Sequence, residues 1–453
     1  MNRFVYSTLL HLLSPALLAW MALRARRAGG QWQVFSRARF GCYQAASYQR
    51  APVWIHAVSL GETRAALPLI QALIDRGDRV LLTHFTATGR HEGARAFQKA
   101  IESGQLVQQW LPYDFPWAAQ RFMRQYRPRI GVLVEREVWP NLVRAARLEN
   151  VPLVLASARF SDRSLRASLR SGRVMREAFA SFRAVFAQTL SDAQRLELAG
   201  AVAPGVSGNF KFDMQVPAAT VARGRAFGAA LGRPVIVVAS TREGEESQFI
   251  AAMRRVSERH EVAAAGARPL FFLVPRHPQR FAEVADLIEQ SGLTWIRRST
   301  LLALGDDSAS ALEACRSVSV VLGDTLGEMP WYYAVSCVAI VGGSFAPLGG
   351  QNFIEASAVG VPVVFGPHTF NFTQAALDAI EAGAARRAAS AAEAIDLAVS
   401  WLDAPRTLGQ MAESGRHWVL CHAGSVQRVL NALLELAPDS EAAPQHREGN
   451  AIV

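Results

Sequence analysis

The chain has 453 residues, half of them hydrophobic and 19% charged. That excludes a disordered or fibrous polymer and suits two domains of about 100 to 200 residues each. Lysine and arginine number 48 against 38 acids, and the net charge of +10 favours an anionic partner: phosphate, nucleic acid or a membrane surface.

Residues 4–23 form an uncharged stretch. At about 1.5 Å per residue, roughly 20 residues match a hydrocarbon core of roughly 30 Å. Ser7, Thr8, His11 and Pro15 make it a poor span. Arg24, Arg26 and Arg27 follow the apolar run, whereas a signal peptide carries its charge in front. The reading is a retained anchor or interfacial helix with the following chain in the cytoplasm; a signal peptide or a buried core helix is the alternative. Arg37, Arg39 and Phe40 would sit at anionic headgroups.

From residue 53 onward short apolar runs alternate with stretches of helical period. Residues 53–58, 79–83, 130–134 and 152–156 read as strands, and after a polar stretch at 205–216 the rhythm restarts with 235–239, 270–274, 318–322, 338–341 and 362–365. Runs apolar on both faces belong to parallel sheets covered by helices. The expectation is two Rossmann-like, doubly wound α/β domains facing a cleft: an anchor at 1–30, domains at 31–222 and 223–415, a helical segment at 416–436 and a disordered tail at 437–453. Cys42, Cys315, Cys337 and Cys421 stand alone and the ten histidines are scattered, so a reducing compartment and no protein-held metal are expected.

The chain has no G-x-G-x-x-G, no P-loop and no D-x-D, which disfavours dinucleotide redox and P-loop chemistry. Polar clusters instead follow the strands. In Ser59-Leu60-Gly61-Glu62, Gly61 is read as a tight turn before a helix starting near Thr63, with Glu62 kept ionised at the helix N-terminus as a base for a sugar hydroxyl. A first-turn glutamate that merely stabilises its helix explains the same residue. Glu135, Glu137 and Trp139 would steady positive charge at an anomeric carbon, or else open a helix as solvated charges. Lys211, between Phe210 and Phe212, is either a cation held against an anion or a snorkelling core-edge lysine. The run from Ser240 to Glu246 caps a helix or meets a phosphate.

Pro275-Arg276-His277-Pro278 is a stiff strand exit that presents two ligand contacts. Gly342-Gly343-Ser344 and Gly349-Gly350 would let backbone amides approach a phosphate, with Glu355 one helical turn beyond Asn352 to accept ribose hydroxyls. Glycines serving only turns and close packing remain the alternative there.

Eight motifs now stand in one order: S-x-G-E at 59–62, L-P-Y-D at 111–114, E-x-E-x-W-P-N at 135–141, G-N-x-K-F-D at 208–213, P-R-H-P at 275–278, D-T-x-G-E at 324–328, G-G-x-N-x-x-E at 349–355 and G-P-H-T-F-N-F at 366–372. Together they resemble the 3-deoxy-D-manno-octulosonic acid (Kdo) transferases of lipopolysaccharide synthesis, which have the GT-B glycosyltransferase fold. The resemblance runs from the N-terminal apolar segment to about residue 436.

It implies inverting transfer of Kdo from CMP-Kdo to an acylated, phosphorylated lipid A precursor (lipid IVA) at the cytoplasmic face of the bacterial inner membrane. It further implies Glu62 as general base and Glu135 and Lys211 as transition-state helpers. Pro275, Arg276, His277, Thr325, Leu326, Gly327, Glu328, Asn352 and Glu355 would hold CMP, with no cofactor and no metal. A monophosphate leaving group suits amides and an arginine. Arg136 and Val138 stand where threonine and leucine are usual, and Arg242 where histidine is common. No nucleic acid partner is expected, since no aromatic-basic module such as an RRM signature is present. A UDP-sugar transferase acting on a lipid acceptor, and a non-catalytic membrane-tethered binding protein, are the competing readings.

Overall fold

A computed structural model describes residues 1–27, 32–44, 51–214, 216–260, 268–305 and 308–437. The tail expected at 437–453 lies, but for its first residue, outside the described residues. Two compact units are present: the first comprises Met1–Met214 and His422–Val453, the second Gln215–Cys421.

Unit 1 is built on seven parallel strands, β1 (Val53–His56), β2 (Val80–His84), β3 (Leu106–Trp110), β4 (Ile130–Val134), β5 (Leu153–Ala158), β6 (Ala184–Ala187) and β7 (Gly205–Val206). Their order across the sheet is β3-β2-β1-β4-β5-β6-β7. The central strands are buried along their whole length, which is why valine, isoleucine and leucine fill them without alternation. Trp54 of β1 crosses Gly131 of β4, where an added Cβ would come within 2.5 Å of its ring, so β4 needs a glycine at that register.

Helix α2 (Leu60–Asp75) lays Ala65, Ala66, Leu69, Ile70 and Leu73 on one face of the sheet, at three- and four-residue spacing. The C-terminal helix Ser425–Leu436 returns to the same core and buries Val426, Val429, Leu430 and Leu433 among Ile55, Leu69, Val132 and Val154. An apolar N-terminal helix, α1 (Arg3–Arg27), is long enough to cross a membrane by length and composition.

Unit 2 repeats the plan with β8 (Val235–Thr241), β9 (Leu270–Pro275), β10 (Trp295–Arg297), β11 (Val320–Leu322), β12 (Val338–Val341), β13 (Val363–Phe365) and β14 (Ala385–Arg387). These are again all parallel, in the order β10-β11-β9-β8-β12-β13-β14. Ile236, Val238, Phe271, Leu273 and Ile340 meet Phe249, Met253, Val284 and Ile288 of the flanking helices in its core.

Two Rossmann-like units are therefore present, as the rhythm of the sequence predicts. The pattern misses β3, β6, β7, β10 and β14, and it begins β11 two residues early. In unit 1 the direction of growth reverses between β1 and β4; in unit 2 β8 likewise lies between β9 and β12, while β11 inserts between β9 and the edge strand β10. At such switch points the loops leaving adjacent strands diverge, and ligands of such sheets bind at the carboxyl ends of the strands there.

Candidate functional site

In unit 1 the switch point brings together the loops after β1 and β4. Ser59 N-caps α2, and a reciprocal capping box forms: the Glu62 N–H donates to Ser59 Oγ at 3.4 Å, while Glu62 Oε2 accepts from the N–H groups of Val58 at 2.6 Å and Ser59 at 3.1 Å. The helix thus starts at Leu60, and Gly61 lies inside its first turn, so the tight turn expected at Gly61 is absent. A Cβ on Gly61 would meet no neighbour closer than 4.0 Å.

Glu62 was expected to be ionised, and the structure corrects this. Burial, then Glu135, then Glu137 push its carboxyl up to about 8, against the two N–H bonds that favour the charged form. At pH 7 this favours the neutral form of the group.

Glu135 directly follows β4 in the left-handed region, with φ 62°. A glutamate there is strained by about 1 to 3 kcal/mol, and such strain persists where the surroundings fix the geometry. Its partner is Lys211, whose Nζ lies 3.0 Å from Glu135 Oε1. Burial, the largest single influence, would raise the Glu135 carboxyl, but Lys211 together with the charges of Arg159 and Arg136 holds the group below its usual range. Lys211 sits on a short 3₁₀ turn (Phe210–Asp213) pinned by buried Phe210 and Phe212, with its N–H donating to Asn209 Oδ1 at 3.0 Å. The lysine is held against a carboxylate of the protein itself. Glu137 accepts from Trp139 Nε1 at 2.9 Å and is pushed up to about 7, chiefly by burial. Glu62, Glu135, Glu137 and Lys211 therefore form one electrostatically coupled group.

In unit 2 the loops after β8 and β12 are stapled by an acid of the run from Ser240 to Glu246, which the sequence reads as a helix cap or a phosphate contact. Glu245 is fully buried, and its carboxylate accepts four backbone N–H bonds: Arg242 at 2.9 Å and Gly343 at 2.7 Å on Oε2, Phe345 at 2.9 Å and Ala346 at 3.1 Å on Oε1. The Gly342-Gly343-Ser344 amides expected to meet a phosphate are thus partly consumed: that of Gly343 is already donated. Ser344 Oγ is likewise used internally, donating to Val341 O and accepting from Gly366 N–H.

Beside this staple, Arg276 donates to Gln351 Oε1 at 3.3 Å, and buried Pro275 ends β9. His277 is held below its usual range by burial and by the charges of Arg242 and Arg276, which marks a cationic locale. A second cluster follows β11. Thr325 Oγ1 bonds Glu328 and lies 2.8 Å from Tyr332 Oη; Glu328 in turn pairs at 2.9 Å with Arg298, which is buried over the Trp331 ring. Glu328 therefore braces the loop, while Leu326 is 71% exposed and Gly327 takes φ 82° between them. Asn352 precedes the helix Ile354–Val359 and accepts the Ile354 N–H at 3.2 Å, so it does not share a helical face with Glu355, which lies in that helix's first turn. Among the described residues no group of three or more His, Cys, Asp and Glu is placed to hold a metal.

Comparison with known proteins matches residues 36–214 to the family described as 3-deoxy-D-manno-octulosonic-acid transferase (kdotransferase). A 3-deoxy-D-manno-octulosonic acid transferase of Bordetella pertussis is 54% identical over 96% of this chain and 99% of its own length. One of Haemophilus influenzae is 30% identical over 96% and 98%. Among solved structures, a UDP-GlcNAc 2-epimerase of Neisseria meningitidis bound to UDP-GlcNAc superposes with a TM-score of 0.55 at 13% identity, over 85% of this chain and all of that one, a likeness of fold alone.

Proposed function

The chain belongs to the 3-deoxy-D-manno-octulosonic acid transferase family, and on that premise we propose how its two units divide the reaction. It is a glycosyltransferase of lipopolysaccharide synthesis that moves Kdo from CMP-Kdo to a lipid A precursor. Glu62 removes the proton from the acceptor hydroxyl as that oxygen bonds to the anomeric carbon. The bond from that carbon to the phosphate oxygen of CMP breaks, and one displacement inverts the centre. The coupled group Glu62, Glu135, Glu137 and Lys211 carries this reading. A carboxyl pushed up to about 8 is a stronger base than a solvated one, and the capping box fixes it through a single oxygen.

Glu135 and Lys211 act as a pair. The carboxylate faces positive charge developing on the sugar, and the ammonium keeps that carboxylate ionised while burial opposes it. On unit 2 the cations Arg276 and Arg242, with neutral His277 as a hydrogen-bond partner, suit the phosphate and carboxylate of the donor. Pro275 fixes that strand exit, and Thr325, Leu326, Gly327, Glu328, Asn352 and Glu355 complete the donor contacts, Glu328 by holding the loop in shape. The two units serve as the halves of a GT-B enzyme, with α1 holding the chain at the cytoplasmic face of the inner membrane.

The test is incubation with CMP-Kdo and lipid IVA followed by mass spectrometry, with and without EDTA, and with CMP against UDP in thermal shift. Product retained in EDTA, and lost by at least a hundredfold in Glu62→Gln with an unchanged melting profile, is the expected result. Unmodified precursor, or stabilisation by UDP and not CMP, would reject it.

A further inference from the structure

Of the 48 lysines and arginines in the chain, only Lys99 and Lys211 are lysines. Lys99 is exposed on the short helix Gln98–Glu102, whereas Lys211 is mostly buried and pairs with Glu135. In a chain this rich in arginine, a compact ammonium on a flexible four-carbon stem stands beside the catalytic carboxylate. Such a stem does not aim itself, so the backbone that carries it has to be placed.

The placement begins at the ends of two adjacent strands. Val134 of β4 pairs with Ala156 of β5, and the residue after each leaves the strand in the left-handed region: Glu135 at φ 62° and Ser157 at φ 49°. The Glu135 N–H donates to the Ala156 carbonyl at 3.0 Å, which joins the two turns. Here the pairing of β5 with β6 shifts register between Leu155 and Ala158, and a bulge of this kind re-aims a side chain. The Ser157 side chain is buried, and its Oγ accepts the Phe210 N–H at 3.3 Å. Gln188, just after β6, extends the contact. Its Nε2 donates to Ser157 O at 3.0 Å and to Ser157 Oγ at 3.3 Å, and its Oε1 accepts from Asn209 Nδ2 at 3.1 Å. Asn209 Oδ1 then accepts the Lys211 N–H at 3.0 Å. Hydrogen bonds thus run without a break from the end of β5 to the backbone of Lys211, whose Nζ returns to Glu135 at the end of β4.

Stability does not account for serine at position 157. A residue with a Cβ is strained at this φ, and glycine would adopt it freely. Serine supplies the one thing glycine lacks, an oxygen for Phe210 and Gln188. The Lys211 turn also has other fastenings, since Phe210 and Phe212 are buried and Asp213 accepts the N–H groups of Gly424 and Val426. Those contacts hold the turn in the fold; the bonds from Ser157 reach the lysine itself.

We propose that Ser157, Gln188 and Asn209 form a positioning relay that presents the Lys211 ammonium to Glu135, and so sets the rate of transfer without touching either substrate. This deepens the reading of the Glu135–Lys211 pair given above and rests on it.

The test compares Ser157→Gly and Gln188→Ala with the wild-type full chain. Because the chain has two lysines, a brief pulse of acetic anhydride followed by peptide mass spectrometry reads Lys211 directly, with exposed Lys99 as internal reference. A rise in the ratio of Lys211 to Lys99 modification is expected in both variants. On CMP-Kdo and lipid IVA, kcat should fall by about tenfold with KM for CMP-Kdo unchanged. The melting midpoint of Ser157→Gly should stay within about 4 °C of wild type, because relief of strain offsets the lost bond. An unchanged modification ratio in both variants would overturn the relay, and so would wild-type kcat despite a raised ratio. A fall in kcat matched in both variants by a large fall in melting midpoint would reduce the three residues to a structural part and overturn it too. Wild-type protein that transfers no Kdo would reject the functional reading instead, and the modification ratio would still decide whether the relay holds Lys211.

Discussion

Ionising Glu62 places a negative charge in a buried spot beside Glu135 and Glu137, and this sets the pH at which a base can work there. The sign follows directly. A base must be deprotonated, so kcat/KM should rise with pH and level off above about 8, lying about thirtyfold below its plateau at pH 6.5. Glu137→Gln removes one of the charges that raise Glu62, so the rise should move to lower pH while the plateau is kept within a few fold. Profiles of kcat/KM from pH 5.5 to 9.5 for both proteins are the check; coincident midpoints would remove Glu137 from the coupled group. The place of Glu62 at a helix start was legible in the sequence, while local sequence left its role open between a base and a first-turn acid that stabilises its helix. Its neutral state was not legible. The macrodipole and the capping box are local and favour charge, whereas burial and two carboxyls arriving from another loop are tertiary and oppose it.

The same division between local and tertiary causes governs the elements. Central strands such as β4, with the run Ile130-Gly131-Val132-Leu133-Val134, can be read from sequence because both faces are covered. The missed β3, β10 and β14 are sheet edges, and their apolar pattern is interrupted by half-buried Gln108, Gln109 and Arg297 and by exposed Arg386 and Arg387. Missed β6 has only four residues and β7 two, too short for any period to show. Glu245 is opaque for another reason: it is one acid among Glu243, Glu245 and Glu246, and only the fold carries its carboxylate to the β12 loop. Losing it should matter, since four backbone donors would be left to find water in a dry place. At about 1 to 3 kcal/mol for each unsatisfied group, even partial rescue by water leaves a loss of roughly 3 kcal/mol or more in Glu245→Ala. For a unit of this size that is about 6 to 12 °C in the melting midpoint. Glu245→Gln keeps one acceptor oxygen and turns an NH₂ toward the other two donors, so it should fall between alanine and wild type. Thermal unfolding of the three proteins tests the order. An alanine variant that melts like wild type would show the loop to be held by other contacts.

At the scale of the whole molecule the chain leaves unit 1 at Met214 and comes back to it at His422, so the first unit is completed by the last helix among the described residues. The return is fixed by Asp213, whose carboxylate accepts the N–H groups of Gly424 and Val426 at the start of that helix. Arg428 adds two bonds to the Ser207 carbonyl. Val426, Val429, Leu430 and Leu433 then enter the core, each no more than 8% exposed. Burying such side chains is worth about 1.5 to 3 kcal/mol apiece, or roughly 6 to 12 kcal/mol for the four. That range overlaps the whole net stability of a typical domain, about 5 to 15 kcal/mol. A stop codon after residue 423 should therefore leave unit 1 unfolded, even though every residue of the Glu62, Glu135 and Lys211 group is still present. A stop after residue 437 should leave fold, melting point and transfer activity unchanged. The two truncations differ by 14 residues, so expression yield, circular dichroism and kinetics on the pair isolate the contribution of this one helix. If the shorter chain folded and transferred sugar, the packing of Val429 and Leu433 against the sheet would be dispensable, and unit 1 would have to be stable on its first 214 residues alone.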